Sequence, residues 1–144
     1  MPNSSDIDTA VLNVLASDAT LKALLPDGVF FDEGPPGLRR FVLMGVVEGH
    51  DRGVFGGRAI EDVLYFVKAV ALSTAGANMN AAAARIDELL QAATLTIPGY
   101  GFMACYRDED VPRIRLTEVD DLDASIRWFH RGGHYRVQAA WPGR

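Results

Sequence analysis

The chain has 144 residues, of which 49% are hydrophobic and 23% are charged, and its net charge is −5. This balance is typical of one globular domain over residues 1–144 and unlike that of a disordered chain. The acidic charge argues against tight, nonspecific binding to nucleic-acid backbones, which needs clustered lysine and arginine. The longest apolar run, residues 63–72, contains Lys68 and is too short to span a bilayer. Because residues 1–6 also lack the pattern of a signal peptide, we expect a soluble protein that stays in the cell that makes it.

The first 28 residues predict a helical region. Apolar side chains recur at helical spacing over residues 7–25, and Ser5 or Asp6 can cap the first turn. A second start signal at Ser17-Asp18 leaves two interpretations open, one bent helix or two short ones. The turn-forming residues 26–28 end the helical region in either case.

Three strands are predicted in the next part of the chain. Residues 29–31 form a short strand, and residues 41–47 form a stronger one. Residues 49–58 hold four glycines, which predicts a mobile loop. Residues 60–72 then form the longest strand.

The longest predicted strand is apolar on both faces. Antiparallel strands that leave one face in water usually alternate apolar and polar residues, so both faces are expected to be covered. The helices can cover one face. The other face needs a second layer of the same chain or another subunit. The side chains are, on one face, Leu64, Phe66, Val70 and Leu72, and on the other, Val63, Tyr65, Val67, Ala69 and Ala71.

The second half of the chain predicts one helix and several strands. The helix covers residues 77–93, with Asn78 or Asn80 as its cap. Strands follow at residues 101–106 and 113–117, and residues 120–123 form an acidic turn. Successive strands without helical crossovers indicate an α+β fold with a mainly antiparallel sheet, packed by the N-terminal helix or helices and the central helix.

The last predicted strand region changes the parity of its apolar residues at Gly132-Gly133. Ile126 and Trp128 share one parity, whereas Tyr135 and Val137 share the other. A two-residue hairpin turn at the glycines would repair the pattern. A one-residue bulge in a single long strand would repair it equally well.

The sequence shows no catalytic pattern. Cys105, the single cysteine, excludes an intrachain disulfide and is interpreted as a small buried residue of a strand. His130 and His134 flank the two glycines, but a metal site needs three or four convergent ligands. Residues 49–58 lack the Gly-Lys-Ser/Thr ending of a phosphate-binding loop. The chain also lacks a Gly-x-Ser-x-Gly elbow and calcium-loop spacing. We therefore predict no enzymatic activity, no metal and no cofactor.

The order of these elements resembles the tail-terminator (tail-completion) family of long-tailed phages, prophages and gene-transfer agents. The resemblance covers nearly the whole chain and rests on the sequence of elements. Residues 107–123 are longer than in the shortest members. The similar segments are Leu15…Asp18…Leu21…Leu24-Leu25…Gly28-Val29-Phe30, Pro35-Pro36, Phe41-Val42-Leu43, residues 62–72, Ala84-Arg85-Ile86-Asp87-Glu88-Leu89-Leu90 and Trp128-Phe129-His130…Tyr135-Arg136-Val137.

The resemblance implies a structural virion protein of the tail or neck with a tail-tube-like fold. Such a protein is expected to form a homo-hexameric ring on the head-proximal end of the tail tube. It would stop tube growth and join the tail to the head. Its expected partners are its own copies, the major tail-tube protein and the head-closure or adaptor proteins of the neck. DNA would pass through the ring without specific binding, no membrane is involved, and assembly would take place in the host cytoplasm.

Two groups of residues are the candidate interaction sites. Opposite charges across each subunit contact would let copies of an acidic chain associate. A glycine-rich arm with apolar residues near its tip could order on a partner. The candidate subunit-interface residues are Arg39, Arg40, Asp120, Asp121, Asp123 and Arg127, and the candidate partner-binding arm residues are Arg52, Val54, Phe55 and Arg58.

Three other functions remain alternatives at this stage. The chain could be another neck protein of the same virion, an adaptor or a head-closure protein. It could be a small-molecule-binding or catalytic α+β domain that uses the acidic segments 108–110 and 120–123 with His130 and His134. It could also bind nucleic acid. The two-faced apolar strands favour an interaction protein over the last two, since a pocket protein should show clustered polar residues in an apolar setting.

Overall fold

The computed structural model describes residues 4–53, 59–75, 77–91 and 93–140. Within these ranges the fold is α+β, as predicted, with more residues in strands than in helices. None of the helices is long and apolar enough to cross a membrane. The helices are α1 (Ser4–Ala16), α2 (Ala19–Leu24) and α3 (Met79–Leu90), and the strands are β1 (Val29–Phe31), β2 (Arg40–Gly53), β3 (Ala59–Leu72), β4 (Gly101–Arg107), β5 (Ile114–Val119) and β6 (Arg127–Ala140).

All six strands belong to one sheet, in the order β1-β2-β3-β6-β4, and β5 also pairs with β6. β1 runs parallel to β2, and every other pair is antiparallel. β4 and β5 share one edge of β6, because β4 pairs with residues 135–140 and β5 pairs with residues 127–132. β6 therefore pairs with three strands, and it joins β4 and β5 to the rest of the sheet.

The N-terminal helical region is two helices, so the second start signal was the correct interpretation. Asp18 caps α2, and its Oδ2 accepts a hydrogen bond of 2.8 Å from the backbone N of Leu21. α1 begins at Ser4, so Ser5 and Asp6 lie inside its first turn. The prediction that one of them caps the helix was wrong, although Asp6 still places a negative charge at the positive end of the helix dipole.

The helices cover one face of the sheet, and the hydrophobic core lies between them. On β3 the core contains Val63, Tyr65, Val67, Ala69 and Ala71, which are one of the two faces predicted from the sequence. Removal of this apolar area from water is the main stabilising term of the fold. The helical side chains in the same core are Ile7, Ala10, Val11, Leu15, Leu21, Met79, Ala82, Ile86 and Leu90.

The opposite face of β3 is partly buried by large side chains of the adjoining strands. Val70 is 3% exposed and lies in register between Phe41 of β2 and His130 of β6. Phe41 also makes an edge-to-face contact with Trp128, with 6.3 Å between the ring centroids. Leu64 is likewise 3% exposed. The two adjoining strands thus account for the burial of Val70 within the subunit.

The sequence predicted a loop over the whole glycine-rich segment, residues 49–58, and this prediction was wrong for the first five residues. Residues 49–53 belong to β2, where they continue the antiparallel pairing from Gly49↔Val63 to Gly53↔Ala59. The backbone hydrogen bonds of the ladder hold these residues in a strand despite the glycines at positions 49 and 53. The remaining residues of the predicted loop, 54–58, lie outside the described residues.

Gly132-Gly133 is neither a hairpin turn nor a bulge, so both sequence interpretations were wrong. β6 pairs with β3 without a register shift from Ile60↔Ala140 to Leu72↔Trp128. A glycine is required at position 132 for a different reason, because a Cβ there would lie 2.1 Å from the backbone O of Val67. The parity change is real, because Trp128 and Tyr135 are on opposite faces of one continuous strand.

Candidate functional site

The six candidate interface residues lie together at one end of the sheet. Arg40 begins β2 and pairs with Ala71, near the end of β3. Leu72 at the end of β3 pairs with Trp128, the second residue of β6. Residues 120–126 join β5 to β6 at this same end, and because they include the predicted turn at residues 120–123 we call the whole connection the acidic turn. We call this region the charged end of the sheet, and it contains Arg39, Arg40, Asp120, Asp121, Asp123 and Arg127.

The first two arginines of the charged end are positioned through their backbone. Asp27 Oδ2 accepts hydrogen bonds from the backbone N of Arg40 at 2.9 Å and of Arg39 at 2.7 Å. These two donors hold the pKa of Asp27 below its ordinary value. The Arg39 guanidinium lies 3.5 Å from Thr74 Oγ1. The backbone of both arginines is therefore held in place, and their side chains extend from a fixed position at this end of the sheet.

The acidic turn is closed by hydrogen bonds to Asp120. Its Oδ1 accepts from Trp128 Nε1 at 2.9 Å, and its Oδ2 accepts from the backbone N of Leu122 and of Asp123, both at 3.0 Å. The bond from Trp128 is the largest cause of the lowered pKa of Asp120. The backbone N of Asp120 also donates to the carbonyl O of Ile126 at 3.0 Å. Asp120 therefore holds the turn together, and its carboxylate faces inward.

The rest of the acidic turn divides into bound and free residues. Asp123 Oδ1 accepts from Ser125 Oγ at 2.6 Å, which is the largest cause of the lowered pKa of Asp123. The Arg127 guanidinium donates to the carbonyl O of Ala124 at 2.6 Å. In contrast, Asp121 is exposed and pairs with no other described residue, and Leu122 is 97% exposed. The tip of the turn, Asp121-Leu122, is thus presented to solvent on a fixed backbone.

A groove of about 490 Å³ lies between α3 and β5, on the helix-covered face of the sheet. We call it the arginine groove, because four arginines contribute to its lining. Its α3 wall carries the small residues Ala83 and Ala84, and the buried Tyr135 lies at its floor. The complete lining is Asn80, Ala83, Ala84, Asp87, Glu88, Arg107, Arg113, Ile114, Arg115, Arg131, Gly132 and Tyr135.

Two of the four arginines have partners inside the subunit. Arg107 donates to Asp87 Oδ1 at 2.8 Å, an atom that also accepts from the Tyr135 hydroxyl at 2.9 Å. Arg131 donates to the carbonyl oxygens of Leu116 and His130.

The other two arginines of the groove are free. Arg113 and Arg115 are exposed and form no hydrogen bond or ion pair with the part of the chain that the structure describes. The groove therefore offers two unpaired guanidinium groups in an otherwise acidic protein. The sequence analysis predicted only a strand at residues 113–117, and the proximity of this strand to α3 is not visible in the sequence.

An ion network on the opposite face of the sheet was also missed by the sequence analysis. Arg136 donates to Asp62 Oδ1 at 2.7 Å and to Asp108 Oδ2 at 3.0 Å, and Glu48 lies 3.6 Å away. The side chain of Asp62 is 1% exposed. The Arg136 guanidinium is the main cause of the lowered pKa of Asp108. These residues come from four separate segments of the chain, so they join the sheet to the loop after β4.

The histidines and the cysteine show no reactive arrangement. His130 and His134 lie on the same face of β6 but four residues apart, which is about 14 Å along a strand. His130 pairs with Glu118, and burial lowers its pKa. Among the described residues, no group of three or more His, Cys, Asp or Glu could hold a metal ion. Cys105 is buried in β4 as predicted, and burial raises the pKa of its thiol to about 12.

The candidate arm is described only in part. Arg52 belongs to β2 and is paired with Ile60, and nothing is described of its side chain. Val54, Phe55 and Arg58 lie outside the described residues. Their role as a partner-binding arm stays a prediction.

Comparison with known proteins identifies the class of this protein. It is a phage tail structural protein. The chain belongs to the family described as "Tail completion protein gp17", whose sequence model matches residues 9–131. A chain of a solved structure titled "Virion of native gene transfer agent (GTA) particle" shares the fold, with a TM-score of 0.68 and 21% identity. That match covers 95% of this chain and 96% of the other chain. No curated protein sequence matches significantly.

Proposed function

We propose that the protein forms a ring, of six copies by the family resemblance, on the head-proximal end of the tail tube, where it ends tube growth and presents the surface that joins the head. Membership of the tail completion family supports this role. We further propose that residues 1–144 act as one non-enzymatic domain in the tail or neck of a virion, assembled in the host cytoplasm. The partners in this proposal are the tail-tube protein and the neck proteins, with DNA passing through the lumen.

The observation that carries the proposal is that some side chains of the acidic turn hold the turn together while others are exposed. Asp120 and Asp123 use their carboxylates to fix the turn, whereas Asp121 and Leu122 face solvent at its tip. A charged and an apolar side chain on a fixed backbone lose little conformational entropy when they bind a partner. This arrangement is suited to a protein contact and contains no group poised for bond-breaking chemistry.

A ring also has to overcome the charge of its subunits. Each copy carries −5, so six copies carry about −30 and repel one another unless opposite charges meet at each contact. The charged end of the sheet holds both signs, with Arg39 and Arg40 on β2 and Asp121 at the exposed tip. We propose that the charged end lies at the subunit contact. The arm residues Arg52, Val54, Phe55 and Arg58 would then be available for the tube or the neck.

The solution mass tests this proposal. Light scattering over a concentration series, with and without purified tail tubes, should show a closed ring or a monomer that assembles on tube ends. The variant Asp121→Arg should weaken this assembly. Glu33→Arg, which makes the same charge change at an exposed position outside the charged end, should leave it unchanged.

Two results would contradict the proposal. A monomer that ignores tubes at every concentration would exclude a tube terminator and would favour an adaptor or head-closure role. Equal assembly of Asp121→Arg and wild type would remove the charged end from the subunit contact.

A further inference from the structure

The exposed tip of the acidic turn and the arginine groove have complementary chemistry. We propose that the Asp121-Leu122 tip of one subunit inserts into the arginine groove of the next copy of the chain. This inference rests on the proposed ring and specifies its subunit contact.

The charges of the two surfaces are opposite, with one carboxylate on the tip and two guanidinium groups in the groove. Asp121 is the carboxylate of the turn that no described residue engages, and Arg113 and Arg115 are the guanidinium groups of the groove that none engages. A guanidinium can bind a carboxylate through two parallel hydrogen bonds, which fixes orientation as well as distance. On the α3 wall, Asp87 already holds Arg107, and Glu88 lies 3.9 Å from Arg85, so neither acidic residue pairs with Arg113 or Arg115.

The apolar surfaces match as well. Leu122 is 97% exposed, and a single exposed leucine would need no explanation on a mobile loop. Here the hydrogen bonds of Asp120 hold the leucine at the tip of a closed turn. The groove offers Ala83, Ala84 and Ile114 as apolar contacts, and their small or partly buried side chains leave its volume open. A volume of 490 Å³ lies within the range of about 300–1,000 Å³ found for specific binding pockets.

The two surfaces occupy different places on the subunit, as a ring requires. A ring closes through heterologous contacts, in which one surface of each copy meets a different surface of the next. β5 begins beside the groove at Ile114 and ends at Val119, immediately before the acidic turn. Arg39 and Arg40, in contrast, lie at the same end of the sheet as the turn itself. The groove is therefore the better receptor for the tip.

Site-directed crosslinking tests the contact directly. Leu122→Cys combined with Ala84→Cys should join subunits into a covalent ladder that ends at the full ring when a short bis-maleimide is added. The native Cys105 is buried with a raised pKa and does not interfere. Each single-cysteine variant should form no ladder. The pair Leu122→Cys with Thr74→Cys, which places the second thiol beside Arg39, tests the competing receptor.

A charge exchange tests the energetics. Asp121→Arg, or Arg113→Asp with Arg115→Asp, should weaken subunit association roughly tenfold or more, and the three changes together should restore it. A ladder from the Thr74 pair and none from the Ala84 pair, in a wild-type protein that does form rings, would overturn the inference and leave the proposed function standing. A wild-type protein that forms no ring with or without tubes would overturn both.

Discussion

Arg85 of α3 holds Asp18, the residue that caps α2, through hydrogen bonds of 2.6 and 2.9 Å. The same Asp18 carboxylate accepts from the backbone N of Leu21 at 2.8 Å. The Asp18 side chain thus accepts a hydrogen bond from one of the unpaired backbone N–H groups at the start of α2. It also joins α2 to α3. This contact makes the position of α2 depend on α3.

Asp18→Ala should lower the free energy of unfolding by about 1–2 kcal/mol, because α2 loses its cap. Asp18→Asn keeps an oxygen that can cap the helix and should cost less. Arg85 is the largest cause of the lowered pKa of Asp18, so the wild-type contribution is present above the ordinary value of 3.8 and is lost as the pH falls through the depressed pKa. Urea unfolding between pH 7 and pH 2 measures both effects. Equal losses for the two variants would show that capping is not the main term.

Gly132→Ala should destabilise the sheet by about 1–3 kcal/mol or prevent folding, because the added Cβ would lie 2.1 Å from the Val67 carbonyl O and 2.6 Å from Lys68 Cα. Gly49→Ala is the matched control in another strand, since a Cβ at that position has no neighbour within 4 Å. The measurement is the Tm of both variants. A Gly132→Ala protein as stable as Gly49→Ala would contradict the close approach of β3 and β6.

Arg136→Met should lower the free energy of unfolding by about 3–5 kcal/mol at pH 7, because it removes the guanidinium that lies 2.7 Å from the buried carboxylate of Asp62. The pKa of Asp108 lies below its ordinary value through Arg136, so the stability from this pair exists above about pH 4 and is lost as the pH falls through the depressed pKa. The difference between variant and wild type should therefore shrink in acid.

Arg115→Met, compared with Arg136→Met in the monomeric protein, is the control for the loss of an arginine, since Arg115 is exposed and unpaired among the described residues. It should change stability by no more than about 0.5 kcal/mol. Chemical unfolding at several pH values gives the comparison. A similar cost for both variants would mean that the ion network contributes nothing specific.

Cys105 should react with a thiol reagent such as Ellman's reagent only when the protein unfolds. Its side chain is buried, and burial raises the thiol pKa to about 12, so almost no thiolate exists at pH 8. The absorbance of the released thiolate measures the reaction, slow in native buffer and fast in denaturant. Rapid labelling of the native protein would show that β4 opens locally.

Local signals in the sequence predicted much of this fold. The start signal at Ser17-Asp18 gave the break between the helices, and the alternation over residues 63–71 gave the core face of β3. Gly132 was misinterpreted because a glycine is needed there to make room for the backbone of β3, some 65 residues earlier in the chain. The sequence around a glycine does not show which distant segment packs against it.

The candidate site was predictable only in part for the same reason. Charge alone predicted that the acidic turn is an interaction element, which stays a prediction. It did not show that Asp120 and Asp123 accept hydrogen bonds from within the turn. The arginine groove depends on where α3 lies relative to β5, which is long-range packing. Arg113 and Arg115 are ordinary residues in the sequence, and they form a candidate site only through that placement.

The position of β6 has a consequence for how the chain folds. β4 and β5 pair with β6 and with no other described strand, and β3 has β6 along one whole edge. Since β6 follows all of them in the chain, a ribosome has made most of the sheet before the strand that joins it is available. The partners from Ile60↔Ala140 to Leu72↔Trp128 are far apart in sequence, which predicts a slow final step. Until that step the open edge of β3 is a site for mispairing, so nascent chains should need protection by chaperones at this stage.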